Sequence, residues 1–135
     1  GPFSMWDAIK YLNADRIGHG VAAIKDKKLM AYLTEHDITL EQCPTSNLQT
    51  GAVSSLASHP FPHFYKANVP VALATDDPSI EDITLSDDYE IAAKHFSFGL
   101  EEFKQVNLNA IKAAFLSFTH PRTGERLEFH SAPPF

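Results

Sequence analysis

Three short apolar segments of this 135-residue chain are each followed by polar residues of types that can do chemistry. His19 lies in Arg-Ile-Gly-His-Gly, Ser46 and Asn47 lie in Cys-Pro-Thr-Ser-Asn, and Asp76 and Asp77 lie in Thr-Asp-Asp-Pro. An imidazole can position or transfer a proton, and a carboxylate can bind a metal ion. These residues are therefore the candidates for a functional site.

Each candidate also has a purely structural explanation. A histidine between glycines can be a turn residue, and Asp77 before Pro78 is a good helix start because Asp caps free amides and Pro suits the first helical position. Ser46 and Asn47 can hydrogen-bond within their own loop. Taken together they favour function, because packing alone does not require a polar group after each of three successive apolar segments.

The elements that must position these residues alternate between short apolar strands and amphipathic helices. The pattern predicts strands over residues 16–21, 38–43 and 69–74, a loop over 45–55, and helices over 3–12, 26–36, about 62–67, 85–96 and 100–115. Such alternation indicates an α/β fold with a parallel sheet. A spacing of about 30 residues per unit matches a TIM-type β/α barrel, whose functional residues gather at the carboxyl ends of the strands.

The chain holds about three of the eight units of such a barrel. We therefore expect the isolated chain to form an open three-stranded parallel sheet surrounded by helices. Its two unpaired strand edges should favour association, either with a missing barrel segment or with a second copy of the chain.

Composition narrows the function further. The net charge of -6 and the pI near 5.5 argue against a nucleic-acid binder, and no apolar run is long enough to cross a membrane. One cysteine, Cys43, can form neither an internal disulfide nor a Cys-x-x-Cys half of a zinc site. A cytoplasmic location is the expectation.

The order and spacing of the three motifs resemble those of adenosine deaminases of the metal-dependent amidohydrolase superfamily. The flanking segments, Gly-Pro-Phe-Ser-Met-Trp at residues 1–6 and Asn-Leu-Asn-Ala at residues 107–110, are similar to that family as well, so the resemblance covers about residues 1–117. It implies conversion of adenosine or deoxyadenosine to inosine and ammonia, or of free adenine in the alternative.

The resemblance also implies individual roles. His19 would be the catalytic histidine that orients and helps to deprotonate the attacking water, Asp76 a zinc ligand, and Asp77 the residue that binds the purine. Zinc suits this chemistry because it lowers the pKa of bound water and so supplies hydroxide at neutral pH.

Other motifs of the family are missing from these residues. The His-x-His pair and the His-Ala-Gly-Glu motif do not occur, so that only Asp76 remains of the implied zinc ligands. We expect four further histidines to lie on exposed helices away from the site: His36, His59, His63 and His95. Activity of the chain alone is therefore left open, and the alternative is a non-catalytic truncated or fused α/β fragment.

The last residues differ from the family pattern. Residues 118–120 and 126–130 are strand-like and residues 121–124 form a predicted turn, which together indicate a hairpin. Residues 116–135 are similar to the C-terminal hairpin of large-subunit-type pseudouridine synthases. We therefore expect two parts, a partial barrel over residues 1–117 and a hairpin-like tail over residues 118–135 that is foreign to the family.

Overall fold

A computed structural model describes residues 1–114 and the backbone of residues 116–119 and 126–129. Its helices are α1 (Pro2–Leu12), α2 (Lys27–Glu35), α3 (Pro44–Gln49), α4 (Phe61–Lys66), α5 (Pro78–Glu81), α6 (Leu85–Phe96) and α7 (Leu100–Ala113). Its strands are β1 (Arg16–Gly18), β2 (Thr39–Gln42), β3 (Val71–Leu73), β4 (Leu116–Thr119) and β5 (Arg126–Phe129), and short 3₁₀ helices cover Val21–Lys25 and Leu56–Ser58.

The expected open, three-stranded parallel sheet is confirmed. β2 lies in the centre, with β1 on one side and β3 on the other, and Leu40 is the register partner of both Ile17 and Val71. One apolar core covers the sheet, and its fully buried members include Leu33, Leu40, Phe61, Phe64 and Val71. The strands end at one edge of this core because all three run in the same direction.

The free edge of β3 is partly covered by α7. The Pro70 carbonyl accepts from the Leu40 amide of β2, and the Ala74 amide donates to the Gln42 carbonyl of the same strand. Because successive residues of a strand direct their backbone groups to opposite edges, those of Val71 point away from β2. There the Asn109 side-chain amide donates to the Val71 carbonyl oxygen at 3.0 Å. A side chain of the last helix thus takes the place of a neighbouring strand at this position.

Two sequence predictions of local structure were wrong. The segment 45–55 begins as helix α3, because Pro44 occupies the first helical turn and Asp88 of α6 accepts from the Thr45 amide at the helix start. β1 ends at Gly18 and does not reach Val21, because His19 and Gly20 both adopt left-handed backbone conformations.

The backbone of β4 and β5 forms an antiparallel pair with Leu116 opposite Phe129. The predicted strands over 118–120 and 126–130 therefore fall largely on observed ones. The predicted turn over 121–124 lies outside the described residues. No helix of the described part of the chain is long and apolar enough to cross a membrane.

Among the glycines that the structure describes, Gly20 should be the least tolerant of substitution. Its φ is +65°, and a Cβ there would lie 2.7 Å from Cδ2 of Leu40, which is fully buried. We expect Gly20→Ala to lower the free energy of unfolding by about 2–4 kcal/mol, because the backbone would be strained and the buried Leu40 side chain would have to move. Urea denaturation followed by circular dichroism measures this.

The matched control for that substitution is Gly51→Ala. Gly51 has a φ of +71° but open space around its Cα. Gly51→Ala should therefore lower the free energy of unfolding by the backbone strain alone, about 1 kcal/mol. Equal losses for the two variants would show that contact with Leu40 does not limit position 20.

Candidate active site

The polar residues that follow β1, β2 and β3 meet at one rim of the sheet. His19 Nε2 lies 3.5 Å from Asp76 Oδ2, and Ser46 Oγ donates to the same carboxylate oxygen at 2.8 Å. The His19 Nδ1 atom lies 2.8 Å from Asn47 Oδ1. Each motif thus contributes at least one side chain to a single cluster, which we call the rim cluster: His19, Ser46, Asn47 and Asp76.

Backbone contacts on both sides hold His19 in place. Its φ of +59° is uncommon for a residue with a side chain, and strain of this kind is often found at functional sites. Its amide donates to the Glu41 carbonyl oxygen at 2.7 Å, and its carbonyl accepts from the Gln42 side chain. The imidazole therefore projects from the strand end in a fixed direction, with about 40% of its surface exposed.

Asp76 and Asp77 differ in their surroundings although they are adjacent. Asp76 is about half exposed and faces the rim cluster. Asp77 is exposed and is the N-cap of α5, where its Oδ1 accepts from the Ile80 amide at 3.2 Å. The structural explanation for Asp-Pro is thus correct for Asp77, and its second carboxylate oxygen stays available to a ligand.

His59 was wrongly expected on an exposed helix. It lies between the second 3₁₀ helix and α4 with 5% of its surface exposed, and its Nε2 lies 2.9 Å from the Asn47 side-chain amide. Burial lowers its pKa to about 4. Pro60 and Pro62 were the available signal, since they interrupt the helical pattern beside this residue.

The other three histidines are exposed, as expected. His36 follows the last residue of α2 and stacks on Tyr32, whereas His63 lies in α4 and His95 in α6.

A buried carboxylate holds the start of the helix that carries two residues of the rim cluster. Asp88 of α6 is fully buried, and its Oδ1 accepts from both the amide and the hydroxyl of Thr45, at 3.1 and 2.7 Å. Burial raises its pKa above the ordinary value for aspartate. This contact joins α6 to the start of α3, which carries Ser46 and Asn47, and it was not predictable because the partners are 43 residues apart.

Cys43 lies directly before helix α3 and should be a poor nucleophile. It is buried, and burial with the nearby carboxylates of Asp76 and Asp88 raises the pKa of its thiol to about 12. Because thiolate is the reactive form, we expect the native chain to react with iodoacetamide at least about 100-fold more slowly than the urea-unfolded chain. Mass spectrometry of quenched samples gives both rates. Comparable rates would contradict the buried thiol.

The rim cluster does not make a zinc site by itself. It brings together two side chains of ligand type, His19 and Asp76, whereas tight zinc sites use three or four protein donors. Among the residues that the structure describes, no group of three or more His, Cys, Asp or Glu side chains could hold a metal ion. A zinc ion at this rim would therefore require further ligands from outside the described residues.

Comparison with known proteins agrees with the motifs. Residues 1–123 match the family model described as adenosine deaminase. An adenosine deaminase of Vibrio cholerae is 50% identical over 117 residues, which is 87% of this chain and 35% of that protein. The chain thus spans about a third of the length of this relative.

Solved structures of deaminases share the fold. The adenine deaminase of Arthrobacter aurescens superimposes with a TM-score of 0.82 at 28% identity, over 86% of this chain and 36% of that one. A zinc-bound amidohydrolase of Burkholderia ambifaria superimposes with a TM-score of 0.75 at 26% identity, over 84% of this chain and 32% of that one. The open sheet is therefore part of a deaminase barrel, and the chain belongs to the adenosine deaminase family.

Proposed function

We propose that this chain provides the C-terminal part of a cytoplasmic, zinc-dependent enzyme that hydrolyses adenosine or deoxyadenosine to inosine and ammonia. The observation that carries the proposal is the convergence of His19, Ser46 and Asp76 within 3.5 Å at one strand-end rim. The 50% identity to an adenosine deaminase over this region supports the choice of reaction.

The roles follow from the positions of the side chains. Asp76 would be one ligand of a zinc site completed by another barrel segment, and Ser46 would hold its carboxylate in place. His19 would contact the water that attacks C6 of the purine, since its Nε2 already lies beside Asp76. Asp77 would bind the purine ring through the carboxylate oxygen that does not cap α5.

Complementation tests this proposal. The chain would be mixed with the N-terminal two thirds of the Vibrio cholerae relative, which must contain His-x-His and His-Ala-Gly-Glu, and zinc added. Adenosine should then be converted to inosine, as measured by the change in ultraviolet absorbance or by chromatography. A folded mixed complex that binds zinc but leaves adenosine unchanged would overturn the proposal.

Adenine is the alternative substrate, because the neighbour from Arthrobacter aurescens is an adenine deaminase. Comparing kcat/KM for adenosine and adenine in the same complex decides between them. If instead the chain neither joins the N-terminal segment nor binds zinc, it is a non-catalytic fragment. We retain as a proposal that the hairpin-like residues 118–135 are a separate part with another origin.

A further inference from the structure

A series of side-chain contacts runs from the core to the rim through His59, Asn47 and His19. The Asn47 amide lies between the two imidazoles, 2.9 Å from His59 Nε2 and 2.8 Å from His19 Nδ1. His59 and Asn47 are both at least 95% buried. The polar hydrogens of these two buried side chains therefore need acceptors within the protein.

The hydrogen bonds of His59 fix its own tautomer. The Phe61 amide donates to His59 Nδ1 at 3.1 Å, so Nδ1 must carry a lone pair and no proton. A neutral imidazole then has its proton on Nε2. Burial lowers the pKa of His59 to about 4, so that the ring is neutral at pH 7.

The Asn47 amide must consequently present its oxygen to His59. Among residues 1–114, the Asn47 amide is the group within hydrogen-bonding distance of His59 Nε2, and a buried N–H without an acceptor costs about 1–3 kcal/mol. With Nδ2 on that side, two donors would face each other. Rotating the amide by 180° keeps both distances, places Oδ1 against His59, and turns Nδ2 toward His19 Nδ1.

We propose that His59 is a positioning residue which, through the Asn47 amide, holds neutral His19 in the tautomer with a bare Nδ1 and a proton on Nε2. That proton is then directed at the Asp76 carboxylate, 3.5 Å away. His19 would donate a hydrogen bond from Nε2 at the rim and could not accept a proton there.

Where the proposed function holds, this assignment keeps the orienting role that the family resemblance implies for His19 and replaces its implied part in deprotonating the water. In the deaminase reaction, His19 would orient the attacking water by donating to its oxygen, and a group outside this chain would take the proton of the water. The tautomer assignment does not depend on the reaction, so it is tested on the chain alone.

The test is ¹⁵N NMR of the chain labelled in histidine, at about pH 8.5, where imidazoles with ordinary pKa values are neutral. Two-bond correlations between the ring nitrogens and the carbon-bound ring hydrogens distinguish the tautomers. We expect both His59 and His19 to carry the proton on Nε2. A wild-type His59 protonated at Nδ1 would overturn the proposal, whatever the variants do.

Three variants then test the coupling. His59→Leu frees the Asn47 amide to rotate, so that His19 should become a mixture with at least about a fivefold rise in the Nδ1-protonated form. His59→Gln retains a donor to Asn47 and should preserve the wild-type ratio. His63→Leu, at an exposed position on α4, is the matched control and should also leave His19 unchanged.

Asn47→Asp gives the strongest contrast because a carboxylate can only accept. It should move the His19 proton to Nδ1 while His59 keeps its proton on Nε2. A folded Asn47→Asp or His59→Leu chain in which His19 keeps the wild-type tautomer would show that the amide does not control it. Backbone amide spectra establish that each variant is folded, and an inactive complementation mixture would leave these results intact.

Discussion

His19→Asn should lower kcat of the complemented deaminase by about 10²–10³-fold, the usual cost of removing a hydrogen-bond donor that is positioned at the reacting group. Asparagine is the suitable replacement because it tolerates the left-handed backbone that His19 adopts at a φ of +59°. It also retains the contacts that the His19 backbone makes with Glu41 and Gln42. The loss should therefore report on the imidazole and not on the fold. Steady-state kinetics with adenosine, at equal concentrations of assembled complex, measures it.

The matched control for this prediction is His95→Asn. His95 is exposed on α6, so its replacement should change kcat by less than twofold. KM should change much less than kcat in His19→Asn, because the proposed contact of His19 is with the attacking water and not with the purine. A His19→Asn enzyme within about tenfold of the wild type would remove His19 from the catalytic machinery.

Local patterns were sufficient to predict the sheet. The three observed parallel strands lie inside the predicted segments 16–21, 38–43 and 69–74, since short apolar runs next to Gly or Pro are a local property of the chain. The common rim followed from strand direction alone. The sequence alone therefore predicts that His19, Ser46 and Asp76 lie together.

Contacts between distant residues account for what the sequence did not reveal. The start of helix α3 depends on the Asp88 carboxylate, which accepts from the Thr45 amide. The direction of His19 depends on the side chain of Gln42, which lies in a segment that the sequence predicts only as an apolar strand. His59 was misplaced because its neutral, buried state arises from packing against Phe61 and Phe96. Neither charge pattern nor periodicity carries that information.

The family resemblance added roles that geometry alone does not assign. The structure brings Asp76 and His19 together, and among the described residues no third side chain of ligand type joins them. Zinc binding and purine binding are consequently properties to be tested on an assembled barrel. The tautomer of His19, in contrast, is a property of this chain.

Buried His59 should make the fold less stable at mildly acidic pH. Its pKa is about 4 in the folded chain, against 6.5 for an ordinary histidine. Between these values the unfolded chain binds a proton that the folded chain does not bind. The contribution of neutral His59 to stability is therefore complete above pH 6.5 and is lost as the pH falls toward 4. The free energy of unfolding should fall by about 2–3 kcal/mol between pH 7.5 and 4.5 from this residue alone.

Urea denaturation at a series of pH values, for the wild type and for His59→Gln, isolates that contribution. Glutamine does not titrate and can still donate to Asn47. Between pH 7.5 and 4.5, the unfolding free energy of the wild type should therefore fall by about 2–3 kcal/mol more than that of His59→Gln. Asp88 acts in the opposite sense, because its raised pKa favours the folded chain as the pH falls, but it is present in both proteins and cancels in the difference. Parallel pH profiles for the two proteins would mean that His59 can be protonated without unfolding. The Asn47 amide could then rotate in the native state, and His59 would not hold the His19 tautomer at acidic pH.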